Sequence, residues 1–123
     1  MRVAGPSWRG GSWTVEVEHP SDRDRVICEI DLDGGAVATS SVLRRRWSGP
    51  GGDSHHVIDP RTMRPADTDL VAVTAVATEA WRADVAATCG LIAGRAGAAD
   101  VAASFGVRLL LFTADGAIDE VMS

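Results

Sequence analysis

Residues 12–39 alternate apolar and polar side chains in three runs separated by turn chemistry, and no other feature constrains the fold as tightly. In Ser12-Trp13-Thr14-Val15-Glu16-Val17-Glu18 every second side chain is apolar, the period of a strand with one buried face. His19-Pro20-Ser21-Asp22 ends that run with turn residues. Val26 to Leu32 alternates again, and Asp33-Gly34-Gly35 turns strongly into Ala36-Val37-Ala38-Thr39. The three segments are expected to form an antiparallel meander.

Trp47 to Asp53 contains Ser-Gly-Pro-Gly-Gly-Asp and reads as a loop, followed by a short strand at His55-His56-Val57-Ile58. Arg61 to Asp69 holds Pro65 and reads as another loop, and Leu70 to Ala77, rich in β-branched residues, reads as a buried strand. Thr78 is the expected N-cap of a helix, with Glu79 in its first turn, Trp81, Val85, Thr88 and Cys89 at helical spacing, and Gly94 as its stop. A second helix is expected from Ala96 to Phe105, then a strand from Val107 to Thr113 and a short final strand after Asp115-Gly116. This order predicts an α+β fold, a largely antiparallel sheet with two helices packed on one face. At 123 residues the chain can bury one core and not two, so 1–123 is expected to be a single domain.

Apolar residues at 46% and charged residues at 24% match an ordinary globular protein. No apolar run approaches the roughly 18–20 residues that span a bilayer, so no membrane segment is expected. No apolar stretch of a signal peptide follows Met1-Arg2-Val3-Ala4-Gly5-Pro6, which leaves a cytoplasmic location as the default. A net charge of −5 argues against nucleic acid as a partner. The one basic cluster, Arg44-Arg45-Arg46, reads first as a solvated turn or strand end and second as a phosphate contact. Cys28 and Cys89 lack metal-type spacing and read as buried thiols rather than a disulfide.

Three polar groups can carry chemistry. In His55-His56-Val57-Ile58-Asp59-Pro60-Arg61-Thr62, adjacent strand histidines point to opposite faces, so at most one meets a given site. A histidine at a strand end beside an aspartate suits general-base work, though a satisfied or exposed histidine and a turn-starting Asp-Pro fit equally. Asp84 and Thr88, four apart on one helix face, present a carboxylate and a hydroxyl together. Oxygen-only ligation suits magnesium, and the bland alternative is an aspartate near a helix start with a threonine below it. Thr39-Ser40-Ser41 at a strand end can hold a ligand or simply make a turn.

In order and spacing these features resemble the second half of the ApbE-type flavin transferases, over roughly residues 1 to 115. Asp33 to Ser41 is similar to the family's "DGAVATSG" segment, and His55 to Met63 to its "HHIIDPRTG" segment. Val71 to Ala77 resembles its "VSVTVIA" strand, and Ala83 to Thr88 its "ADALAT" helix. The resemblance implies an FAD:protein FMN transferase, in which FMN passes from FAD to a threonine or serine hydroxyl of an acceptor protein. It further implies Mg2+ ligation by Asp84 and Thr88, His56 as the base, and Thr39, Ser40 and Asp59 as flavin-pocket or supporting positions.

The family glycines after "ATS" and "DPRT" are Ser41 and Met63 here, where a glycine would permit positive φ or close backbone approach. Met1-Arg2-Val3-Ala4-Gly5 looks like the continuation of a family "GGDIRVSG" segment, so the chain is expected to be the C-terminal portion of a longer protein or of a split one. The resemblance implies that the family's N-terminal half supplies much of the flavin pocket and a further magnesium ligand; in a split protein that half would be a separate partner. A truncated flavin-binding or interaction module without catalysis is the alternative. A metal-dependent hydrolase built on His55, His56 and Asp59 is a third reading, with the weakest support.

Overall fold

A computed structural model describes residues 1–7 and 10–123. Strands β1 (Arg2–Val3), β2 (Trp13–His19), β3 (Asp22–Leu32) and β4 (Gly35–Ser41) come first. They are followed by β5 (Arg46–Gly49), β6 (Gly52–His55), β7 (Ile58–Asp59), β8 (Arg64–Pro65) and β9 (Leu70–Ala77). Helix α1 (Ala80–Phe105) and strands β10 (Arg108–Thr113) and β11 (Ile118–Met122) complete the chain. The main sheet is antiparallel throughout, in the order β1-β4-β9-β10-β11.

β9 is the middle strand because Leu-Val-Ala-Val-Thr-Ala-Val-Ala can be buried on both faces, and almost every one of its side chains is. Val73 and Ala75 point to one side and pack with Leu109, Leu111 and the helix. Ala72 and Val76 point to the other and pack with Val37, Leu110 and Phe112. Each face therefore needs its own cover, and the chain supplies two different ones.

α1 covers the first face. Its buried positions Ala83, Ala86, Ala87, Gly90, Leu91, Gly94, Ala98 and Ala102 recur every three to four residues, one stripe of small side chains. The stripe lets the helix lie close: a Cβ on Gly90 would stand 3.3 Å from both Leu109 and Val73. By length and composition α1 could cross a membrane, but here this stripe is buried against the sheet, as in a core helix.

The two expected helices are one element. Gly94 (φ 68°, ψ −175°) does break the helical conformation, but the break is bridged rather than terminal. The Asp69 carboxylate accepts the Arg95 N–H at 3.0 Å, capping the restarted turn so that the helix resumes at once. Thr78 is not the N-cap either: that position is Glu79, without a side-chain cap bond. Instead the Glu79 carboxylate accepts from Arg82 at 3.2 Å. At the other end Gly106 closes the helix in the left-handed region, its cap N–H groups reaching Ala102 and Ala103.

The second face is covered by the β2–β3 hairpin, and here the expected meander fails. β2 and β3 pair only with each other, while β4 pairs with β1 and β9. The alternating apolar set Val17, Ile30 and Leu32 lies flat against Val37, Ala72, Leu110 and Phe112. Alternation reports one buried face; it does not say whether that face is covered within the sheet or by stacking across it. The expected loop from Trp47 to Asp53 is likewise the tip of a hairpin, since β5 pairs with β6 from Arg46↔His55 to Gly49↔Gly52. Cys28 and Cys89 are half-buried free thiols, and burial pushes the Cys28 thiol up.

Candidate functional site

The site forms where β4 is left uncovered. β1 spans only the start of that strand, pairing Arg2 with Ala36 and Val3 with Gly35, and Met1 exchanges backbone hydrogen bonds with Val37. From Ala38 to Ser41 the outer edge of β4 has no paired strand among the described residues. An open cavity of about 660 Å³ lies along that edge. It is walled by β2, by β4 and the arginines after it, by His56 and by the first turns of α1.

Five of the six residues that the resemblance marks as site positions line it: Thr39, Ser40, His56, Asp84 and Thr88. Ser40 faces the helix side of the sheet, and its hydroxyl lies 2.8 Å from that of Thr88 across 48 residues of chain. Thr88 also donates to the Asp84 carbonyl at 3.2 Å. The Asp84 side chain is exposed to the cavity and has no hydrogen-bond or ion-pair partner among the described residues. Thr39 points to the opposite face, where its hydroxyl pairs with that of fully buried Thr74 at 2.8 Å.

The two histidines separate. β6 ends at His55, whose Nδ1 accepts the Val57 N–H at 3.3 Å while Nε2 donates to the Ala66 carbonyl at 3.1 Å. Both of its ring nitrogens are thus engaged in the backbone, so His55 and His56 do not share a metal. His56 lies beyond the strand, exposed on the cavity, its N–H donating to the Arg45 carbonyl at 3.3 Å. Among the described residues no three of His, Cys, Asp and Glu gather as a metal cluster.

Asp59 is not on the cavity wall and does not orient His56. Its buried carboxylate accepts from the Arg61 backbone N–H at 2.9 Å and from the guanidinium at 2.8–3.2 Å. These hydrogen bonds, chiefly those from the Arg61 side chain, hold its carboxyl below the usual aspartate range. The Asp59 carbonyl accepts Met63 N–H at 2.8 Å, closing a turn in which Met63 has φ 57°. No other described non-glycine residue has positive φ, so Ser41 needs no glycine. Ser41 instead donates to the Val71 carbonyl at 2.9 Å and accepts from Leu43 N–H at 3.1 Å.

Glu16, Glu18, Arg44 and Arg45 also line the cavity, and the sequence singled out only the arginines, as a solvated run first. The glutamates carry no local signal: they reach the cavity because the hairpin lies across the sheet. Arg44 pairs with Glu18 at 2.6 Å, tying hairpin to β4 exit.

The sequence model of the ApbE family matches residues 1–111. The FAD:protein FMN transferase of Escherichia coli K12 is 31% identical over 117 residues, 94% of this chain but 33% of that protein. The same-named protein of Salmonella typhimurium is 32% identical over 113 residues, 91% of this chain and 32% of its own length. The crystal structure of the ApbE protein from Thermotoga maritima superposes with a TM-score of 0.81 at 33% identity, covering 98% of this chain and 39% of that one. The flavin transferase ApbE from Vibrio cholerae gives 0.70 at 27% identity, covering 99% and 39%. The chain spans about a third of the length of the curated relatives it matches. On sequence and fold together, this chain belongs to the ApbE family.

Proposed function

We propose that this chain carries the metal-binding and base side of an FAD:protein FMN transferase, which moves FMN from FAD to a threonine or serine of an acceptor protein. The observation that carries this reading is the convergence of an unpartnered carboxylate, two hydroxyls and an imidazole on one open cavity: Asp84, Thr88, Ser40 and His56. These donors fit Mg2+, a hard cation that takes one or two protein oxygens and leaves the rest of its shell to water and phosphate. Asp84 and Thr88 would hold it. When bound, the ion neutralises the diphosphate of FAD.

His56 accepts the proton of the acceptor hydroxyl; the hydroxyl oxygen bonds to the phosphorus of FMN as the bond to the AMP oxygen breaks, and AMP leaves. Ser40 holds Thr88 in place across the sheet edge. Asp59 acts at a distance, by setting the turn that follows His56, and Thr39, on the cavity wall, fixes β4 to β9. Residues beyond this chain, on the remaining two thirds of a full-length relative or on a separate polypeptide, complete the flavin pocket.

Flavin binding without transfer is the second reading, favoured by the positive φ of Met63 in the turn after His56. The two are separated by co-expressing the chain with the completing segment and an acceptor domain, then measuring the acceptor's intact mass and released AMP. Transfer predicts one FMN added, and a loss of roughly 100-fold or more in rate for His56→Asn with FAD binding retained. FAD binding without an adduct would establish the second reading instead.

A further inference from the structure

We propose that Arg45 is the phosphate-binding residue of this cavity, contacting the oxygens of the diphosphate that Asp84 and Thr88 approach through the cation. The proposal rests on the transferase reading and adds the anion-recognising residue to it. Of three consecutive arginines, the outer two are committed. Arg44 is paired with Glu18 at 2.6 Å, and Arg46 faces Asp53 at 3.9 Å across the β5–β6 hairpin. Arg45 has no carboxylate partner among the described residues and stands on the cavity wall. Its carbonyl accepts the His56 N–H, so the guanidinium-bearing residue and the base are backbone neighbours.

Charge makes the assignment. The wall carries Glu16, Glu18 and Asp84 in a chain of net charge −5, a surface that by itself repels a dinucleotide. Arg44 cancels Glu18, which leaves Glu16 and Asp84, and of these Asp84 is the one on the helix beside the Thr88 hydroxyl. Arg45 is the remaining cationic side chain on the described wall, the Met1 ammonium being held on the Val37 carbonyl, and a guanidinium presents a planar fork of N–H donors that matches two phosphate oxygens. Charge gathers on the leaving phosphate as its bond to FMN breaks, beside the base that activates the incoming hydroxyl.

The test is calorimetric titration of inorganic pyrophosphate, with magnesium, into the chain and its Arg45→Gln, Arg45→Lys and Arg46→Gln variants, each checked for native melting. Arg45→Gln is expected to weaken pyrophosphate about tenfold or more. Arg45→Lys, which keeps the charge without the fork, should fall between, and Arg46→Gln should match the parent. Equal affinity in Arg45→Gln and parent, or a parent chain that binds no pyrophosphate, overturns the assignment. FMN transfer that never occurs while pyrophosphate binding still depends on Arg45 would sink the transferase reading alone.

Discussion

At the scale of single residues, Asp59 couples the turn after His56 to acid. Arg61 lowers its folded pKa below the unfolded value, so the stabilisation is present above the ordinary aspartate pKa and fades as pH falls through the lowered one. The melting temperature of the parent chain should therefore fall as the pH drops below about 4. Asp59→Asn should melt lower at neutral pH and show a flatter acid profile; identical profiles would contradict the clamp. Met63 in the same turn has a conformation that costs a side chain roughly 1–2 kcal/mol, partly offset in glycine by roughly 0.5–1 kcal/mol of extra chain entropy. Met63→Gly is expected to stabilise by about 0.5–1 kcal/mol in urea melts, and a neutral or lower value would contradict that. Much of the candidate site was legible at this scale, because Asp84 and Thr88 share a helix face by spacing alone. His56 does stand apart from His55, but because β6 ends at His55 and the expected strand from His55 to Ile58 does not form, not by strand alternation. Asp59 was less legible: an Asp-Pro beside a histidine looks the same whether its carboxylate faces a ligand or clamps Arg61.

Among the elements, α1 shows why a helix stop is hard to recognise from a glycine. Gly94 reads as a terminus, but whether the helix ends depends on Asp69, 25 residues earlier, which caps the next turn. Its φ/ψ pair belongs to a region open to glycine alone, and a Cβ there would come 2.7 Å from the Asp69 carboxylate. Gly94→Ala is expected to cost about 2–4 kcal/mol, the sum of backbone strain and a lost cap. Asp69→Ala should cost about 1 kcal/mol, with both read from denaturant melts followed by helical circular dichroism. A Gly94→Ala protein as stable as its parent would mean that the break is incidental.

For the whole molecule, one sheet is covered by two unlike layers, a small-residue helix and a hairpin, and both cores depend on β9 and β10. The alternation in β2 and β3 was visible in the sequence, but the stacking was not, since it depends on partners such as Phe112 that lie some eighty residues away. Shared strands should make unfolding a single event. Ile30→Ala, on the hairpin side, is expected to cost about 2–5 kcal/mol and to lower the helix transition by the same amount. Separate transitions for hairpin and helix would contradict that coupling.

The open edge of β4 lies between these layers, and the claim that a cation and a flavin dinucleotide meet there is tested most directly by calorimetric titration of FAD. The titration is made with and without magnesium, into the parent chain assembled with the segment that completes the pocket and into the same assembly carrying Asp84→Ala, a substitution at an exposed helix position that alanine suits. The expected result is FAD binding that requires magnesium and is lost in Asp84→Ala. FAD binding indifferent to both would contradict it.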